Sequence, residues 1–250
     1  MNHKILKSMK SLLKIFITTA FFTASLFFIS CDDLYGPPKD SVPVFESVSF
    51  EPMNFTFGEW ITITAHITDP ETALTTMFYQ VKTNGKTVTS GTIPINEGTD
   101  ANISYRIFIP LLSNQPDNAP VTISLTANNI LKGYSDKEVT GFTGKRPVYS
   151  KLYLVTDDKI VVTLNPQSAN KEKFEANGLM LDRYLNYRIA EKITEDGDID
   201  YDGVVWNNEN GRLTMSHSEG EAAFTFTQAD YIESVVFDNV AFSVTVDGAN

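Results

Sequence analysis

The densest run of potential ligands in the chain is Asp198-Ile199-Asp200-Tyr201-Asp202-Gly203-Val204-Val205-Trp206-Asn207-Asn208-Glu209. Acids stand at its positions 1, 3, 5 and 12, glycine at 6 and an aliphatic residue at 8. That spacing wraps carboxylates around one hard cation while the glycine permits the sharp turn. Asp198, Asp200, Asp202 and Glu209 are therefore candidate calcium ligands, and calcium is the one cofactor the chain suggests. Asn210-Gly211 follows at once and forbids the exiting helix of an EF-hand. The competing reading is an acidic turn leading into the strand Val204-Val205-Trp206.

The same stretch holds groups suited to sugar. The apolar face of a pyranose stacks on a flat ring while neighbouring amides and carboxylates bond its hydroxyls. Trp206, Tyr201, Asn207 and Asn208 form one candidate cluster, although Trp206 lies in an apolar strand, where burial is the commoner outcome. Trp60 is a second candidate. Alternation places it with Thr62 and Thr64 on a polar strand face, where it either stacks on sugar or covers a sandwich edge.

Catalysis is not expected. The histidines His3, His66 and His217 are too dispersed for a Ser-His-Asp arrangement or a multi-histidine metal site. Acids are plentiful enough for a glycosidase pair, but two small β modules leave little room for a closed cleft. His66, on the threonine face of its strand, reads as a solvated or hydrogen-bonded side chain.

Cys31 is the sole cysteine. It follows Lys4, Lys7, Lys10 and Lys14 and the apolar run Ile15 to Ser30, which is short for a membrane span of about 20 residues and suits a signal peptide. Phe28-Ile29-Ser30-Cys31 resembles the lipobox of exported lipoproteins, which implies a lipid on Cys31. Loss of the leader removes four lysines and no acid, taking the net charge from −11 to −15. Nucleic acid and anionic headgroups are then poor partners, and the membrane is reached through the lipid alone. Residues 31–43 hold three prolines and a glycine and read as an extended tether. Asp32 and Asp33 resemble the surface-export signal of Bacteroidetes lipoproteins, and Asp40-Ser41-Val42 resembles an O-glycosylation site of those bacteria, on Ser41.

The elements that must position these groups are strands. Ile61, Ile63, Ala65 and Ile67 alternate with polar residues, as do Val121, Ile123, Leu125 and Ala127. Runs near 44–50, 59–68, 74–83, 86–93, 102–110, 120–128 and 136–143, with Asn84-Gly85 as a two-residue hairpin, predict an immunoglobulin-like sandwich over 44–147 without the Cys-Trp-Cys pattern of antibody domains. Gly144-Lys145-Arg146-Pro147 marks a boundary. Beyond it, 148–250 reads as a second small β-rich domain with strands near 149–156, 159–164, 179–193, 203–207, 212–216, 222–228 and 234–247. Leu181, Leu185, Ile189 and Ile193 also fit a helical stripe; strand is the favoured expectation. The fold class is all-β, and the closing segment Val244 to Asn250 leaves room for a further domain.

Cys31-Asp32-Asp33, the proline-rich tether and Phe57-Gly58-Glu59-Trp60-Ile61-Thr62-Ile63-Thr64-Ala65 with Thr68-Asp69-Pro70 together resemble the surface glycan-binding lipoproteins of Bacteroidetes polysaccharide-utilisation systems, the SusE and SusF-like group. The resemblance covers about 31–147. It implies an outer-membrane lipoprotein facing the cell exterior, with a spacer sandwich, later sugar-binding modules, polysaccharide or oligosaccharide as ligand and a transporter complex as partner. The alternative is a structural or protein-binding accessory of a surface complex.

Overall fold

A computed structural model describes residues 41–96, 98–182, 185–220, 224–225 and 231–249. The leader, Cys31 and the tether up to Asp40 lie outside the described residues. Every described element is a strand.

The alternating residues of the first half form two facing sheets. One is three-stranded, in the order β1 (Val44–Glu51), β3 (Glu59–Thr68), β6 (Asp100–Ile109). The other is five-stranded, in the order β2 (Asn54–Thr56), β8 (Tyr134–Lys145), β7 (Ala119–Asn129), β4 (Leu74–Thr83), β5 (Lys86–Pro94). The short β2 leaves the first sheet and pairs in parallel with β8, so the N-terminal stretch laces the two sheets together. This is an immunoglobulin-like sandwich. Ile61, Ile63, Ala65 and Ile67 face Val121, Ile123, Leu125 and Ala127 across its core, all essentially without exposure. Asn84 and Gly85 join β4 to β5 with φ of 47° and 76°, the left-handed pair of a type I′ turn that matches strand twist.

After Arg146-Pro147 the chain builds one larger antiparallel sheet. Its strands are β9 (Leu152–Thr156), β10 (Val161–Pro166), β11 (Lys173–Asp182), β12 (Asn186–Ala190), β13 (Val205–Glu209), β14 (Arg212–Ser216), β15 (Phe224–Thr225), β16 (Tyr231–Asp238) and β17 (Ser243–Ala249). Their order is β14-β13-β12-β9-β10-β11-β16-β17, with β15 beside β12. The sheet curls over on itself. β13 and β16 are five places apart, about 24 Å in a flat sheet, yet Trp206 of β13 and Phe237 of β16 have ring centroids 5.1 Å apart.

Two expected strands are divided. The span 179–193 is the end of β11 and then β12, which take different neighbours, β16 and β9. Here strand, and no helix, is what forms: Leu181 and Ile189 are buried on the sheet. The span 234–247 is the hairpin β16–β17. Its turn over 239–242 has no glycine or proline to announce it, and the left-handed position is filled by Phe242 at φ 53°. That conformation costs a side-chain-bearing residue about 1–2 kcal/mol, offset here by burying the ring among Trp206 and Phe237.

The two halves share one continuous apolar core. Tyr149, Phe237 and Phe242 each meet Trp206 edge to face, and Met215 and Val204 press on Gly58, at φ +89°, where a Cβ would lie 3.1 Å from Val204. Arg146 ties the halves with polar bonds. It donates to the carbonyls of Gln115 (2.8 Å) and Asn239 (2.9 Å) and pairs with Glu172 at 3.3 Å.

The Tyr149 hydroxyl is buried in this junction without a hydrogen-bond partner among the described residues. Burial, and secondarily the charge of Glu191, pushes its pKa well above 10.0. A tyrosine raised in the fold lends stability that is complete below the unfolded pKa and lost as pH rises through it. Stability should therefore hold up to about pH 10 and then fall, with this one group contributing about 1.4 kcal/mol per pH unit. In denaturant titrations across that range, Tyr149→Phe should flatten the alkaline loss by one proton while equalling or exceeding the parent at neutral pH.

Candidate functional site

The acidic segment between β12 and β13 folds as an irregular extension of their hairpin. The Thr194 amide donates to the carbonyl of Asp198, Ile193 bridges to Ile199, and Glu191 holds Val204 through both its backbone and its carboxylate. Asp198 forms an ion pair of 2.8 Å with Lys159, a residue 39 positions away on the β9–β10 turn. Asp200 accepts from the amide of Asp202 at 2.9 Å, closing its own turn. Glu209 sits at the far end of β13 opposite Arg212. The four carboxylates expected to hold calcium are therefore not gathered at one point, and among the described residues no three acidic, histidine or cysteine side chains converge as a cation would need. The backbone of this segment forms turns, closed by the amide of Gly203 donating to the carbonyl of Asp200 at 3.0 Å.

Trp206 does not present its ring to solvent. Its exposure is 0%, so it is a core residue and has no face for a sugar. Val204, Val205, Trp206 and Asn207 are all buried in succession: Val204 and Trp206 meet Gly58 of the first sandwich and Phe237 of the curled sheet on one face, and Asn207 on the other lies under Ser218 and Gly220. Trp60 remains 38% exposed on the outer face of β3. It packs at 4.2 Å on His217, beside Phe108 and under Arg106, covering the seam between the halves. His66 bonds Asp100 at 3.0 Å. Ser41 is half-buried directly before β1.

The other sugar candidates, Tyr201, Asn207 and Asn208, line two adjoining clefts that share Glu219. The first, of about 380 Å³, is walled by Tyr201, Ile199, Asp157, Arg188, Lys159, Asp198 and Glu219. Arg188 projects from β12, donates to Asp157 (3.1 Å) and to the Gly220 carbonyl (3.2 Å), and keeps its Nε without a partner among the described residues. Asp157 also accepts from the Asn186 amide at 2.6 Å. Asp198 holds the Lys159 ammonium above the ordinary lysine pKa, and burial with the charge of Glu219 pushes the Tyr201 phenol up. Tyr201 is thus neutral at physiological pH, with an apolar ring and a donating hydroxyl.

The second cleft, of about 360 Å³, is lined by Asn207, Asn208, Glu209, Ser216, Ser218 and Glu219. Asn207 donates to the Ser218 carbonyl at 3.0 Å and leaves its own Oδ1 buried and unpartnered among the described residues. Together the clefts offer one flat ring and a dense set of donors and acceptors fixed by mutual bonds. Arg188, Asp157, Lys159 and Glu219 were missed by sequence reasoning. Asp157 and Lys159 come from the β9–β10 turn, Arg188 from β12 and Glu219 from the segment after β14, and no local spacing joins the three sources.

Trp206→Ala should act on stability. Loss of a fully enclosed indole should destabilise by about 3–5 kcal/mol, read as a fall in the urea midpoint, and a parent-like midpoint would contradict this placement. No protein-family model matches the chain and no curated protein matches it, so the chemistry of these clefts is the ground on which a function stands.

Proposed function

We propose that this chain is a surface-exposed lipoprotein, anchored in the outer membrane through Cys31, that binds polysaccharide without catalysis for a carbohydrate-uptake system. The observation that carries the reading is the Tyr201 cleft, where an aromatic ring stands among Arg188, Asp157, Asp198 and Glu219. Sugars are held by one stacking face and by planar polar groups that bond paired hydroxyls. Both cations in the cleft are already countered, Arg188 by Asp157 and Lys159 by Asp198. A charged ligand would have to displace one of these pairs, whereas a neutral polyol uses the donors and acceptors they leave over. A neutral glycan is therefore the ligand this cleft suits. The Asn207–Asn208 cleft across Glu219 extends the same surface for a further sugar unit.

The anchor is tested by metabolic labelling with a fatty-acid probe. Cys31→Ala should abolish labelling and release the chain from membranes; unchanged labelling and fractionation would remove the lipoprotein assignment.

Binding is tested by affinity electrophoresis across a panel of neutral and acidic glycans. Tyr201→Ala and Glu219→Gln should each weaken retardation by the bound neutral glycan at least tenfold, while Trp60→Ala leaves it unchanged. If no glycan retards the parent chain, the protein is better taken as a structural or protein-binding accessory of a surface complex.

A further inference from the structure

A third cleft, of about 530 Å³, lies where two hairpin turns of the curled sheet meet a loop of the first sandwich. Asn208, Arg212 and Leu213 line it from the β13–β14 hairpin, Phe242 and Ser243 from the β16–β17 hairpin, and Ser113 from the sandwich. Its volume falls within the range of about 300–1,000 Å³ usual for small-molecule sites, which favour junctions of this kind. The loop is fixed in place, since the amide of Asn114 donates to the carbonyl of Val240 at 2.6 Å.

Its electrostatics set it apart from the other two clefts. The chain has 31 acidic against 20 basic residues, and Asp157, Asp198, Glu209 and Glu219 crowd the neighbouring sites. No carboxylate lines this cleft among the described residues. Arg212 lies on its rim without an ion pair among the described residues, whereas Arg146, Arg188 and Lys159 each hold a carboxylate. Asn208 spends its carbonyl oxygen on the Gly211 amide at 2.8 Å, which leaves its NH₂ to donate. With the hydroxyls of Ser113 and Ser243, which can each donate, the polar side chains offer donors around one guanidinium and no anionic group, and Leu213 and Phe242 add apolar surface.

We propose that this junction cleft binds the carboxylate of an acidic saccharide, a uronate unit, which Arg212 holds as a planar two-pronged partner while the sugar ring lies against Leu213. A guanidinium fork matches a carboxylate in geometry and charge, and such bonds are about twice as strong as neutral ones. The saccharide class rests on the function proposed above; the selection for an anion rests on this cleft alone. The chain would then hold neutral units at Tyr201 and acidic units at Arg212, two distinct positions along a mixed polysaccharide.

Calorimetric titration of the full chain in detergent with an oligogalacturonate, and in parallel with its neutral galactose counterpart, tests this. The oligogalacturonate should bind, and more weakly as salt is raised. Arg212→Gln should weaken it at least tenfold, Arg212→Lys should restore part of the loss, and Tyr201→Ala should leave it unchanged. Matching thermal unfolding curves would show that the exposed Arg212 variants keep the fold. Oligogalacturonate affinity that is undetectable in the parent, or unchanged in both Arg212→Gln and Arg212→Glu, would overturn the proposal. Oligogalacturonate binding that Arg212→Glu abolishes, in a chain that binds no neutral glycan, would uphold the junction cleft and overturn the Tyr201 reading alone.

Discussion

Enclosure of the Trp206 indole is the constraint on which the rest of the molecule depends. A tryptophan buries about 150–250 Å² of surface, and at about 25 cal/mol per Å² that is roughly 4–6 kcal/mol from one side chain. To realise it, the second sheet must curl until β16 reaches β13, bringing Phe237 and Phe242 onto the indole. The first sandwich must also close over this region, which it does with Gly58 against Val204 and Met215, while Tyr149, just past the junction, meets the indole edge to face. The curl of one sheet and the docking of the other therefore follow from the same apolar contact.

Polar bonds fix the angle at which that contact is made. Apolar burial is non-directional, whereas the Arg146 guanidinium must meet two carbonyls and a carboxylate drawn from the Gln115 loop, the β16–β17 turn and Glu172. Its amide is held as well, by Asp117 at 2.8 Å. These bonds offset the cost of enclosing the cation and favour one orientation of the two halves, while its Nε finds no partner among the described residues. The residues around Arg146, a linker by composition, thus act as a clamp.

The clefts are by-products of this geometry. Pairing of β9 with β12 sets the β9–β10 turn beside the acidic segment that follows β12, so that Lys159 reaches Asp198. The curl lays the β13–β14 and β16–β17 hairpins side by side near Ser113, so that Arg212, opposite Glu209 in its hairpin, stands on the rim of a cleft that no carboxylate lines among the described residues. One acidic chain thereby gains a cleft of balanced charge and a cleft of donors.

Local chemistry determined the strands of the first sandwich and both Asn-Gly turns, because period-two alternation and left-handed glycine and asparagine are short-range properties that the chain carries wherever it folds. It also determined that no helix follows the acidic segment, since Asn210-Gly211 turns the chain back from β13 into β14. What only the tertiary structure decided is which of these groups meet. The hairpin turn at Phe242 was hidden because its strain is relieved by rings distant in sequence. Trp206 became core, and Tyr201 a cleft wall, because a curled sheet has an inside that strand alternation alone does not specify. Lys159, Arg188 and Arg212 took their roles from strands and turns that meet only in the folded chain, through contacts that depend on distance in space and leave no period in the sequence.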